Sequence, residues 1–297
     1  MSDRSTEGRH PLSDGLHAIG AAEAALRLLN GQAEAVEAVR AAIPAIVRAA
    51  QASIPALRRG GKMAYAGAGS SGLMALADCL ELPGTFGISP DRVPMLFAGG
   101  VEALLHMTGA VEDDPALALR DFQRADLSKG DVVLCLAASG GTPYTLTIAD
   151  QARAGGVTVV GFSNVAGSPL LERADIPVFL NTGPELVSGS TRMAAATAQK
   201  MALNMLSVLV GIGLGHVHDG YMVNVTADNA KLLDRAARIV SDLSGASPAE
   251  AKLALTQTNG SVKQAVLVAR GADPENAASD LHESGGHLAP LLRENRY

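Results

Sequence analysis

The sequence has 297 residues, enough for one large domain or two modest ones, and 47% of them are apolar, so a sizeable buried core is expected. Aromatic residues amount to 3%, with no Trp, and the formal net charge is −6 without a basic cluster. This excludes the stacking platforms and cationic footprint of a nucleic-acid binder, and the basic face that holds a protein on an anionic membrane.

In chain order, the polar opening MSDRSTEGRHPLSDG lacks an apolar signal core, and the expected location is the cytoplasm. Residues 16–29 read as a short helix and 31–59 as a longer one. In the latter, Val36, Val39, Ile43, Ile46, Val47, Ala50, Ile54 and Leu57 recur at steps that place them on one face. Pro44 and Pro55 predict a kink or a division of this helix, and Gly60-Gly61 predicts its stop. Five short apolar runs follow: KMAYAG, VPMLFAG, DVVLCLAAS, VTVVGFS and IPVFLN. Continuous rather than alternating apolar residues predict strands buried on both faces. The expected fold class is therefore α/β, a five-stranded parallel sheet wound with helices. Three of the runs lead into loops rich in Gly or Ser, where open α/β sheets place their ligands.

Helical patterning returns from 191 to about 243. The apolar run MALNMLSVLVGIGLG is too short for a membrane span and carries Asn204 and Ser207, so a buried core helix is expected. Beyond Gly245, punctuation at Asn259-Gly260, Gly271, Asp273-Pro274 and Gly285-Gly286 predicts three or four small helices. The division expected is an N-terminal arm with helices over 1–60, an α/β domain over 61–245 and a small helical module over 246–297.

The first apolar run ends in GAGSSG, which fits G-x-G-x-x-G. A dinucleotide site would also want an acid at the end of the second strand, and that strand ends in Ala98-Gly99-Gly100. The third run ends in Ser139-Gly140-Gly141-Thr142-Pro143, with Pro143 suited to the first turn of a helix. Both loops join a strand to a helix, and both offer hydroxyls and free backbone N–H groups to a compact anion. Serines that merely cap helices are the plainer account of such loops, and two loops in one sheet weigh against it. Neither contains the P-loop lysine, so a phosphate monoester on a small sugar is the expected ligand.

Three acids fall beside these turns, Glu81 in ELPGTFG, Glu112 in EDDP and Glu185 in GPELVSGSTR. All three are expected near the carboxyl ends of strands, over one crevice, where carboxylates in unlike environments can divide acid and base roles. His216 and His218 are two apart at a predicted helix end and share no face, so no metal site is expected there. Cys79 and Cys135 have no CxxC partner, which argues against a disulfide scaffold or zinc.

Together, GAGSSG, ELPGTFG, LFAGG, EDDP, AASGGTPY, GPELVSGSTRMAAATAQKMALNMLS and NAKLLDRAARIV resemble the N-acetylmuramic acid 6-phosphate etherases of the sugar-isomerase (SIS) superfamily, nearly end to end. The tail resembles the ubiquitin-associated-like module of those enzymes. The resemblance implies a carbon–oxygen lyase of peptidoglycan recycling. It would cleave the D-lactyl ether of N-acetylmuramic acid 6-phosphate to N-acetylglucosamine 6-phosphate and D-lactate, without metal or other cofactor. It implies Glu81 as general acid, Glu112 as base and a homodimer. The expected substrate-binding set is Ser70, Ser71, Ser139, Gly141, Thr142, Glu185 and Ser190.

Departures from the family pattern are also present. Leu73 and Gly141 stand where the family carries arginines, and Asn224 stands where its M-V-D-V motif has the acid. A phosphosugar-binding regulator of the glucokinase-regulatory-protein type and a sugar-phosphate isomerase are the alternatives. The retained pair Glu81 and Glu112 favours an elimination over either.

Overall fold

The structure is a computed structural model and describes residues 5–225, 227 and 229–293. The chain divides into two compact units. One comprises Met1–Cys79 and Asp91–Ser207, the other Leu80–Pro90 and Val208–Tyr297.

In the first unit, α1 (Ala21–Arg58) leads to β1 (Met63–Gly67), and α2 begins at Gly69. Then come β2 (Met95–Phe97), α3 (Gly100–Leu105), α4 (Pro115–Ala125), β3 (Val132–Leu136), α5 (Pro143–Ala154), β4 (Thr158–Ser163), α6 (Pro169–Arg173) and β5 (Ile176–Phe179). All five strands are parallel, in the order β2-β1-β3-β4-β5, with Gly67 in register with Phe97 on one side and Leu136 on the other. This is the expected α/β sheet. β1 and β3 are buried along their whole length, which is why their sequences run apolar without alternation. Ala64, Ala66, Val133, Cys135 and Val159 share a core with Tyr144, Ile148 and Ala149 of α5. Helix α1 packs against β1, β3 and β5.

The expected break between two N-terminal helices does not occur. Helix α1 is one element of 38 residues with Pro44 and Pro55 inside it, and the described residues before Gly20 include two short 3-10 turns and no α-helix. Gly31, read as a boundary, is buried with Leu186 beside it, so packing outweighs the local helix penalty of glycine.

Helix α2 (Gly69–Phe86) and α7 (Ala194–Gly213) are each continuous. Helix α7 reaches 20 residues, longer than its apolar run suggested and long enough by length and composition to cross a membrane. Yet Ala202, Leu203, Leu206 and Val210 have no exposed surface, as expected of a core helix. The long helical region read over 191–243 is interrupted by a hairpin of β6 (Val217–His218) and β7 (Tyr221–Met222).

In the second unit, α8 (Ala230–Ser244), α9 (Pro248–Gln257), α10 (Val262–Ala269), α11 (Pro274–Glu283) and α12 (Leu288–Arg293) enclose a separate core. It runs from Val223 and Val225 through Ala236, Val240, Ala265 and Val266 to Leu291. Ser247, Ser261 and Asp273 cap the starts of α9, α10 and α11, which is why the punctuation in the tail marks helix boundaries so closely.

Candidate active site

The strand order turns back on itself between β1 and β3, the switch point at which open α/β sheets bind ligands outside their carboxyl ends. The two hydroxyl-bearing loops leave these two neighbouring strands. The third glycine of GAGSSG is a packing residue. A Cβ on Gly72 would lie 2.8 Å from the Phe97 ring and 2.9 Å from the Gly67 carbonyl, so the pattern has a structural reason without a dinucleotide.

Ser70 and Ser71 lie in the first turn of α2, and neither hydroxyl has a hydrogen-bond partner among the described residues. In the second loop Thr142 is the N-cap position of α5 and Pro143 opens the helix, as read from the sequence. The Thr142 side chain makes no capping bond. Ser139 Oγ accepts from the Gly141 N–H at 3.2 Å, so these two residues brace the loop from within. Two helix N-termini, three hydroxyls without protein partners among the described residues and a braced glycine turn are an arrangement that can receive a compact anion.

Glu112 lies in a 3-10 turn, Gly109–Asp113, and is half-buried. Its carboxylate reaches the start of α2: a Cβ built on Gly69, whose φ is +53°, would stand 2.6 Å from Glu112 Oε1. The rest of EDDP explains the placement. Asp114 accepts from the Leu117 N–H at 3.0 Å, and Pro115 occupies the first helical position, so the pair fixes where α4 starts. Burial first, and then the negative charge of Asp113, push the Glu112 carboxyl above its ordinary value. A carboxylate with a raised pKa is a stronger base.

Of the other acids, Glu185 follows β5 as expected, whereas Glu81 does not lie at a strand end. Glu185 is only 2% exposed, and its two oxygens accept the N–H groups of Ala194 at 3.0 Å and Ala195 at 2.9 Å. It caps α7, filling donors that the helix cannot satisfy itself. Burial raises its pKa, and the two backbone bonds and His10 oppose the rise. Ser190 is half-buried in the same loop. The N-terminal arm lies along this loop in its own chain: Ser13 Oγ donates to the Leu186 carbonyl at 2.7 Å, and Ser188 Oγ donates to the Glu7 carbonyl at 2.9 Å. Glu81 is not in a strand-end loop. It is exposed, near the end of α2, and belongs to the second compact unit. The helix passes through Pro83 to Phe86 instead of stopping at Glu81.

Sequence reasoning missed Asp78. Only 4% exposed, it accepts from Tyr65 Oη at 2.8 Å, Asn204 Nδ2 at 2.6 Å and Ser207 Oγ at 3.0 Å, tying α2 to β1 and α7. Burial and Asp78 keep the Tyr65 hydroxyl protonated as a donor. An aspartate beside Ala75, Cys79 and Leu82 on an apolar helix face was the available signal. Cys79 and Cys135 are both buried free thiols.

The SIS domain family profile matches residues 30–164. The N-acetylmuramic acid 6-phosphate etherase of Deinococcus radiodurans is 43% identical over 296 residues, covering 99% of this chain and 97% of that one. The etherase of Yersinia pestis is 40% identical over 289 residues, covering 97% and 98%. Among solved structures, a phosphoheptose isomerase from Francisella tularensis superposes with a TM-score of 0.52 at 19% identity, over 65% of this chain and all of that one, which shows the shared fold. The chain belongs to the N-acetylmuramic acid 6-phosphate etherase family.

Proposed function

We propose that this protein is a lyase that cleaves the D-lactyl ether of N-acetylmuramic acid 6-phosphate in peptidoglycan recycling in the cytoplasm. The observation that carries the reading is the Glu112 carboxylate, raised in basicity and held against the opening of α2 between two hydroxyl-bearing loops.

The chemistry follows from the substrate. In the open-chain sugar the C3 ether oxygen is β to the C1 aldehyde, so the C2 proton is acidic. Glu112 takes that proton, the electron pair passes into the enolate, and the C3–O bond then breaks as Glu81 protonates the departing lactate oxygen. Water adds at C3 of the unsaturated aldehyde, and a proton returns to C2. The 6-phosphate sits on Ser70, Ser71, Ser139 and Thr142 and the N-termini of α2 and α5, with Gly141 bracing the turn and Ser190 contributing from the neighbouring loop. Carboxyl groups and hydroxyls suffice for each step. Neither Leu73 nor Gly141 offers a cation, so phosphate affinity rests on hydrogen bonds and helix dipoles.

The working form is a homodimer. What supports this is a stripe on α1: Leu29, Val36 and Ile43 recur at seven-residue steps, 64%, 47% and 40% exposed. The decisive experiment for the function is release of D-lactate from N-acetylmuramic acid 6-phosphate by the purified full-length chain. Binding of the product sugar phosphate without release would make the protein a sensor instead.

A further inference from the structure

The segment that carries Glu81 is weak as a helix. Pro83 lacks an N–H and removes a helical hydrogen bond from the closing turns of α2, and Gly84, with open space around it, adds backbone freedom. The carbonyl of Phe86 is one of the orphan acceptors that end every helix. Here it is held from outside. Asn224 Nδ2 donates to Phe86 O at 2.9 Å. The fit is close: Gly87 has φ +62°, and a Cβ there would lie 2.5 Å from the Asn224 carbonyl oxygen and 2.7 Å from Asn224 Nδ2. The Phe86 ring is 4% exposed and lies against Gly211.

Asn224 is itself anchored. Val223 and Val225, on either side of it, are buried in the core formed by the C-terminal helices. The amide of Asn224 supplies the donor that the Phe86 carbonyl needs, which an ionised carboxylate in its place could not do.

We propose that Asn224 is a positioning residue for Glu81: it clamps the Phe86–Gly87 end of α2 to the C-terminal helical core and so fixes the acid's place in the reaction. This rests on the reading of Glu81 as the acid. It gives the C-terminal helices a catalytic purpose as the mount of that acid. A displacement of about 1 Å at a reacting group can cost on the order of 100-fold in rate, so the clamp need only prevent small shifts.

The test uses the full-length protein and two readouts, lactate release and exchange of the C2 hydrogen with deuterated solvent. Exchange needs the base alone, whereas release also needs the acid. Asn224→Ala should lower kcat for release by about 10- to 100-fold, with KM and the exchange rate near wild type. In a Glu81→Gln background the same change should cost nothing further. Release at the wild-type rate in Asn224→Ala would overturn the proposal, as would equal losses of release and exchange. If Asn224→Ala does not give folded protein, Gly87→Ala, whose Cβ would fall 2.7 Å from Asn224 Nδ2 and push it off the Phe86 carbonyl, carries the same pair of measurements. Should Glu81→Gln itself release lactate normally, the acid assignment fails, a result separate from failure of the clamp.

Discussion

The Glu112 carboxylate occupies the space that a side chain on Gly69 would need: Oε1 is 2.6 Å from the Cβ position of that glycine. The first helical residue after β1 is therefore bare because the Glu112 carboxylate lies over it. Gly69→Ala should push Glu112 out of place and strain a backbone at φ +53°. Gly100 is the control, with φ +57° and nothing within 4 Å of its Cβ position. Each substitution should cost roughly 1–2 kcal/mol of stability from the left-handed backbone. Only Gly69→Ala should also lose C2 hydrogen exchange, measured by NMR in deuterated water. Equal exchange in the two variants would remove Glu112 from the base role or from this position.

The raised pKa of Glu112 has consequences for pH. A base works ionised, so activity falls as pH drops through the raised value, and the acid limb of kcat/KM should lie above the ordinary 4.5 of a glutamate. Asp113→Asn removes the smaller cause of the shift and should move that limb to lower pH. Stability has its own sign. A carboxyl that holds its proton more tightly in the folded chain contributes stability below its unfolded pKa, and that contribution is lost as pH rises through the folded value. Glu112→Gln should thus melt above wild type at neutral pH, with the difference closing as pH falls to about 4. A variant that melts below wild type at neutral pH would contradict the burial account.

Thr142 gives a clean test of the phosphate seat because its hydroxyl makes no capping bond to α5. Thr142→Val should leave folding intact and weaken N-acetylglucosamine 6-phosphate by roughly 1.5–3 kcal/mol, the range for a hydrogen bond to a charged group. Affinity for the unphosphorylated sugar should not change. Ser139→Ala is expected to be more disruptive, since Ser139 Oγ also holds the Gly141 N–H. Calorimetric titration of both sugars decides the point. Equal loss for the two sugars would place the phosphate elsewhere.

Much of the fold was legible because it depended on local signals. Buried parallel strands must be apolar throughout, and all five runs became strands. Caps and glycines in the tail marked real helix ends because they satisfy backbone groups wherever the helices pack. The N-terminal helices were misread because Gly31 and two prolines are local penalties that packing of a 38-residue helix overrides. The positions of the two hydroxyl-bearing loops and of Glu112 could be read from motif and strand order. The capping role of Glu185, the Asp78 network and the Asn224–Phe86 contact could not, since each joins separate elements through a few specific hydrogen bonds.

The central claim, elimination of lactate across C2–C3, is tested most directly by running the reaction in oxygen-18 water with N-acetylmuramic acid 6-phosphate. Elimination breaks the bond between C3 and the ether oxygen, so lactate leaves with its original oxygen and water adds to the sugar. Mass spectrometry should find the label in the C3 hydroxyl of N-acetylglucosamine 6-phosphate and none in the lactate hydroxyl. Label in the lactate hydroxyl, with an unlabelled sugar, would mean attack at the lactyl carbon and would contradict the account.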